Sequence, residues 1–223
     1  MEIKILGICG SPIKQGNTEA FLEATLKAAK EMEDVTTAAV SLSGKNVSDC
    51  QHCNWCLNGQ KPGHFCKQND DMSGIYPLLI EADGLLLASP VYFARLSGRM
   101  ACFIDRLRAF AYGDYYHGQL RGKVGGALAV GWNRHGGVET TLLSLNLTFS
   151  SLGMITAHER GTALGAGAVS SLNGTGKSLP DDRLTVLKDE HGLRSARRLA
   201  RRMVELIRIS KLGKEALGRE SGQ

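Results

Sequence analysis

Aromatic residues and long apolar runs are what this sequence is short of. Phe, Trp and Tyr make up only 6% of its 223 residues, which argues against a core built on stacked rings. The longest apolar stretch, residues 84–94, is broken by Pro90 and reaches about half the ~20 residues that a membrane helix needs. Neither a membrane span nor a membrane partner is expected. The opening MEIKILGICGSP has no basic segment leading into an apolar run and a small-residue cleavage site. No secretory leader is therefore expected, and the predicted location is cytoplasmic. Charge is not strongly of one sign: 27 Lys and Arg against 22 Asp and Glu give a formal +5. Without a nucleic-acid reader motif or an aromatic stacking platform, that surplus is too small to point to nucleic acid. Apolar residues at 43% and charged residues at 22% exclude a disordered chain, and the length suits one domain with a single core. There is no internal repeat.

Against these absences stand 27 glycines and six cysteines. Cys9 and Cys102 stand alone, one in a strand pattern and one in a helix pattern, and both read as small buried hydrophobes. The other four, Cys50, Cys53, Cys56 and Cys66, fall in one stretch. In a reducing compartment such clusters are metal ligands or redox groups more often than structural disulfides.

Hydrophobic periodicity orders the chain. Residues 3–10 read as a buried strand ending in a Gly-Ser-Pro loop, and 18–32 as a helix with Asn17 at its cap. A second strand covers 36–42. Residues 43–68 have no period at all, and loops this long in a compact domain usually bind something. Asp70 and Asp71 cap a helix over 72–81, and 84–92 is the near-continuous apolar run of a strand buried on both faces. The helix at 97–110 is expected to turn Met100, Phe103, Ile104 and Leu107 inward and Arg99, Asp105, Arg106 and Arg108 outward. A strand at 123–131, a helix at 138–152 and a short strand at 154–158 follow. This alternation predicts an α/β fold, an open five-stranded parallel sheet with helices on both faces. Residues 1–160 form the domain, with a Cys-rich insertion at 43–70. Residues 161–223 are a Gly-rich segment and an amphipathic helix from about 180 to 209, packed on the domain or on a partner subunit. Its Arg194, Arg197, Arg198, Arg201 and Arg202 read as a wet face, and the chain is expected to fray after Lys211.

In an open parallel sheet, ligands bind beyond the carboxyl ends of the strands, so the loops after the first, third and fourth strands should converge. The first, GSPIKQGNT, offers hydroxyls, backbone N–H groups and the positive end of a helix, which together make a phosphate cradle; a plain helix cap is the alternative. It has no GK[ST] and no GxGxxG. In the third, Gly131, Gly136 and Gly137 let backbone approach a flat ring. Tyr92 and Phe93 either pack at a strand end or line the ligand. The pattern Cys50-x2-Cys53-x2-Cys56-x9-Cys66 supplies four thiolates from one loop, which suits a [4Fe-4S] cluster, a Zn2+ ion or redox-active thiols. His52 and His64 nearby read as exposed loop histidines.

Taken together, GSPIKQGNT, the SPVYFARLSG that leads into a helix ending FIDR, and GWNRHGGVETTL resemble the NAD(P)H-dependent FMN reductases of the flavodoxin-like fold. The resemblance implies that Ser11, Gly16, Asn17 and Thr18 take the FMN phosphate. It places Pro90, Val91, Tyr92 and Phe93 along one edge of the isoalloxazine and Gly131, Asn133 and Gly136 along the other. The cysteine pattern resembles that of the iron-sulfur flavoproteins, a subgroup of the same family in which the last gap is usually shorter. That likeness implies a [4Fe-4S] cluster on Cys50, Cys53, Cys56 and Cys66. The expected function is FMN-dependent electron transfer to or from the cluster, in a homodimer or homotetramer, with NAD(P)H or a redox protein such as ferredoxin as partner. The alternatives are a cluster-free NAD(P)H-dependent reductase of flavins, quinones, azo or nitro compounds, and a non-catalytic module braced by Zn2+.

Overall fold

The computed structural model describes residues 1–177 and 182–220. Strands β1 (Ile3–Cys9), β2 (Val35–Ser41), β3 (Gly84–Tyr92), β5 (Val124–Gly131) and β6 (Ile155–Thr156) form a parallel sheet in the order β2-β1-β3-β5-β6. β4 (Arg95–Leu96) folds back antiparallel on the end of β3. The helices are α1 (Asn17–Lys30), α2 (Met72–Glu81), α3 (Gly98–Arg106), α4 (Arg108–Ala111), α5 (Val138–Ser151) and α6 (Glu190–Glu220). Among the described residues, no helix is long and apolar enough to cross a membrane.

Side chains alternate across the sheet, as strand geometry requires. Leu6, Ile8, Leu85, Leu87, Ala127 and Ala129 face a core filled by α2, α3 and α5. Ile3, Ile5, Leu86, Ala88, Leu128 and Val130 face one filled by α1 and α6. Cys9 belongs to the second core, and burial pushes its thiol up to about 11, which leaves it inert. Cys102 is only half-buried, because it lies near Asp49 and Asp105 on the flank of α3 rather than on its core stripe.

Four details depart from the sequence reading. The fifth lane of the sheet is split: β6 pairs with the start of β5 (Val124, Gly125), and β7 (Ala166–Val169) resumes beside its upper half. The helix read as 97–110 breaks at Leu107 into α3 and α4. Arg106, placed outward by helical spacing, is 2% exposed, because a buried carboxylate from the cysteine loop meets it. Finally, α6 begins at Glu190 rather than near Pro180, which lies outside the described residues. Asp189 holds its first turn by accepting from Gly192 N at 3.0 Å, after a 3-10 turn at Thr185–Lys188. The helix continues to Glu220 instead of fraying after Lys211. Its buried stripe is Ala196, Leu199, Ala200, Met203, Val204 and Ile207, and it lies close on the sheet because Gly126 admits Met203: a Cβ there would sit 2.5 Å from the sulfur. Its arginines are partly committed on the surface, Arg198 to Glu159, Arg202 to Glu205 and Arg208 to the Glu33 carbonyl.

Candidate functional site

Three loops meet at the carboxyl ends of β1, β3 and β5, and specific bonds join them. Ser97, the N-cap of α3, donates from Oγ to the Gly10 carbonyl at 2.7 Å while its own N–H donates to Ser89 Oγ at 2.9 Å. This ties the first loop to the second. Thr140 Oγ1 donates to the Ala94 carbonyl at 2.6 Å and ties the third loop to the second. Neither residue stands out in the sequence, since a Ser or Thr near a helix start is a common cap.

In the first loop Ser11 is buried, its Oγ accepting from Ile13 N at 3.1 Å. Gly16, the N-cap of α1, offers no side-chain cap, so the first N–H groups of the helix have no partner within it. Thr18, at the second position of α1, is only 3% exposed, and its hydroxyl has no partner among the described residues. An uncapped helix start beside an unpartnered hydroxyl on a largely buried threonine fits an oxyanion such as a phosphate. Asn17 is turned to other work: its Oδ1 accepts from Val186 N at 2.9 Å and its Nδ2 donates to the Arg183 carbonyl at 3.1 Å.

In the second loop Pro90 is buried, Val91 half-buried, Tyr92 40% exposed and Phe93 fully exposed. Burial of part of its ring pushes the Tyr92 phenol up. Phe93 and Ala94 form the two-residue tip of the β3–β4 hairpin with φ of 49° and 59°. That is left-handed backbone at two consecutive non-glycine residues, a strained conformation that proteins concentrate at functional sites.

The third loop presses on this tip. Gly137 has φ of 104°, and a Cβ on it would lie 2.3 Å from Ala94 Cα. Gly131 is buried and the Gly136 N–H closes on the Asn133 carbonyl at 3.1 Å. The Gly-rich segment that follows β7 clasps the loop's outer side. Asn133 forms a bridge with Thr175, Trp132 Nε1 donates to the Gly176 carbonyl at 3.1 Å, and Ser171 Oγ donates to the Trp132 carbonyl. In the sequence that segment shows only as rich in glycine. Gly137→Ala should lower stability by about 1–3 kcal/mol in urea unfolding. Gly44→Ala, with φ of 74° but nothing within 4 Å, should lower it less; equal losses would mean that the contact between the loops contributes nothing.

The cysteine loop is a packed element rather than a slack insertion. Phe65 is stacked between Tyr76 and Tyr116, with ring centroids 4.9 and 4.0 Å apart. Buried Gln60 donates to the Phe65 and Ala109 carbonyls at 2.9 and 3.0 Å and accepts from Tyr116 N at 3.0 Å. Arg106 reaches from the end of α3 to both oxygens of Asp70 and to the Ser48 carbonyl. Asp70 also accepts from Met72 N at 3.2 Å at the start of α2, and Asp71 from Asn46 N at 2.6 Å. Asp70 thus fastens the loop as well as starting the helix, whereas Asp71, expected to cap it too, makes no side-chain cap hydrogen bond and serves the loop.

All four cysteines of the loop are free thiols: Cys50, Cys56 and Cys66 are half-buried, and Cys53 is exposed. Burial pushes the Cys56 thiol up, with Arg108 pulling it down and the neighbouring Cys66 and Cys50 adding to the rise. Cys50, Cys56 and Cys66 therefore share one electrostatic neighbourhood. Among the described residues, no group of three or more Cys, His, Asp or Glu is drawn together tightly enough to hold a metal ion. A groove of about 590 Å³ opens beside Cys50 and His52, walled by Arg108, Tyr112 and Leu147.

Residues 3–168 match the family model described as NADPH-dependent FMN reductase. The chain is similar to an iron-sulfur flavoprotein of Methanocaldococcus jannaschii, 36% identical over 216 residues that cover 94% of this chain and 100% of the relative. It is also similar to an iron-sulfur flavoprotein of Archaeoglobus fulgidus, 35% identical over 91% of this chain and 96% of that one. Among solved structures, RosB with its bound intermediate 8-demethyl-8-formylriboflavin-5'-phosphate superposes with a TM-score of 0.71, covering 99% of this chain and 88% of the other. At 15% identity that likeness is one of fold.

Proposed function

The chain belongs to the NADPH-dependent FMN reductase family and is a flavin-dependent oxidoreductase, and we propose that it is an iron-sulfur flavoprotein moving electrons between FMN and a [4Fe-4S] cluster. The observation that carries this reading is α3. Its first residue is capped by Ser97, which ties the strand-end loops together, and its last, Arg106, anchors the cysteine loop. A nine-residue helix, about 14 Å long, thus joins the two candidate sites rigidly.

When bound, FMN supplies chemistry that takes up electrons in pairs and releases them singly, and a [4Fe-4S] cluster exchanges one at a time. The residues do the holding. Thr18 and the first N–H groups of α1 take the phosphate, with Ser11 and Gly16 shaping the loop. Asn17 serves that site by placing the 183–186 segment beside it. Pro90, Val91, Tyr92 and Phe93 line one edge of the ring, where the Tyr92 phenol is a neutral hydrogen-bond donor. Gly131, Asn133 and Gly136 line the other. Cys50, Cys53, Cys56 and Cys66 are the cluster ligands. Arg108, whose charge pulls the Cys56 thiol down and which donates to Asn54 Oδ1 at 2.9 Å, offsets thiolate charge. NAD(P)H or a ferredoxin-like protein is the electron partner. A second copy covers the groove beside Cys50, where Leu147 and Tyr112 are exposed, giving a dimer or tetramer in the cytoplasm.

Protein purified without oxygen should show flavin bands over broad visible absorption, with iron and acid-labile sulfide in equal amounts. NADH and NADPH, added separately under argon, should bleach the flavin to different extents. Flavin without iron would favour the cluster-free reductase of flavins, quinones, azo or nitro compounds, the reading that the ungathered thiols support. A colourless protein containing zinc would overturn both.

A further inference from the structure

The loop between β1 and α1 is short of positive charge for the ligand assigned to it. Lys14 is its cation, and Glu19 in the first turn of α1 folds its carboxylate back on the loop, accepting from Gln15 N at 2.8 Å. The two side chains cancel. A phosphate monoester brings about −1.5 to −2, whereas a helix N-terminus offers roughly +0.5.

The chain brings one more cation to this place. Through the Asn17 amide, the Arg183 carbonyl and Val186 N–H are held at 3.1 and 2.9 Å from the first residue of α1. The adjacent acidic residue, Asp182, is already engaged: its Oδ2 pairs with Lys188 at 2.8 Å and its Oδ1 accepts from Leu184 N at 3.2 Å. Arg183 is exposed and its side chain has no hydrogen bond or ion pair among the described residues. The Thr18 hydroxyl, also without a partner and on a residue only 3% exposed, marks independently where an acceptor-rich ligand belongs.

We propose that Arg183 is the phosphate clamp of this protein, a guanidinium carried in from the C-terminal segment to pair with the FMN phosphate, two N–H groups to two oxygens. This rests on the assignment of FMN to the strand-end loops. Asn17 acts one step removed, as the residue that positions Arg183.

The test is titration of flavin-stripped full-length protein with FMN and with riboflavin, followed by quenching of flavin fluorescence. Arg183→Gln should weaken FMN binding about tenfold or more, leave riboflavin binding unchanged and flatten the salt dependence for FMN; Arg183→Lys should recover part of the loss. Unchanged FMN affinity in Arg183→Gln would overturn the proposal, and so would a parallel loss of riboflavin, which would mean that the segment matters only for shape. If the unaltered protein bound riboflavin as tightly as FMN, the phosphate-loop assignment would itself fall.

Discussion

Asp70→Asn should cost the fold about 3–5 kcal/mol, the loss expected when one member of a buried ion pair is removed. The magnitude follows from what is left behind. Arg106 has a side chain 1% exposed and Asp70 one 5% exposed, with contacts of 2.5 and 3.2 Å between guanidinium and carboxylate. Asparagine keeps one acceptor but no charge, so the guanidinium stays buried without its counter-ion, and its Nε already has no partner. The Ser48 and Met72 N–H groups are left donating to a weaker acceptor or to none. Changing both residues to apolar ones, as in Arg106→Met with Asp70→Leu, should be less damaging than Asp70→Asn alone, because no orphaned charge remains. Urea unfolding of the single and double variants measures both effects. A loss in Asp70→Asn no larger than that of an ordinary surface change would contradict them. Hydrogen exchange should also rise across residues 43–70, since Ser48 and Asp70 bracket the cysteines.

Cys56→Ser is the second large effect: the protein should lose nearly all its iron and sulfide and keep its FMN. A serine hydroxyl is a poor ligand where a thiolate is required, and Cys56 is the thiol that feels both Cys50 and Cys66. FMN should remain because the strand-end loops are held by Ser97 and Thr140, not by the cysteine loop. Cys102→Ser, on the flank of α3, is the control that should retain iron. Iron retained in Cys56→Ser, or FMN lost together with it, would rule out the ligand assignment.

Much of this architecture is legible from periodicity. A strand buried on both faces is a nearly continuous apolar run, and residues 84–92 could hardly be anything else. The convergence of three loops follows from parallel topology, and the contacts through Ser97 and Thr140 bear it out. What escapes is whatever depends on a distant partner. Arg106 looks like a surface residue because spacing cannot see Asp70 thirty-six positions earlier. β7 is Ala-Gly-Ala-Val in a stretch rich in small residues, and only pairing with β5 makes it a strand. Asn17 fits a phosphate loop by type, yet its amide serves residues 183 and 186, a contact with no local signature. Likewise Phe65, Gln60 and Tyr116 give no sign in the sequence that the cysteine insertion has a core of its own.

That small core decides an order of events in the life of the protein. Many metal-binding loops are shapeless until the metal arrives, so that metal and fold are gained together. Here Phe65 between its two tyrosines, Gln60 beneath the turn and the Arg106–Asp70 pair hold the loop through contacts that involve no thiol. The loop therefore takes its fold from these contacts and not from a metal, and the proposed cluster would still have to draw the four thiols together, since among the described residues they are not gathered. On the proposed cluster assignment, a chain that loses its iron would keep this loop folded and closed to proteolysis.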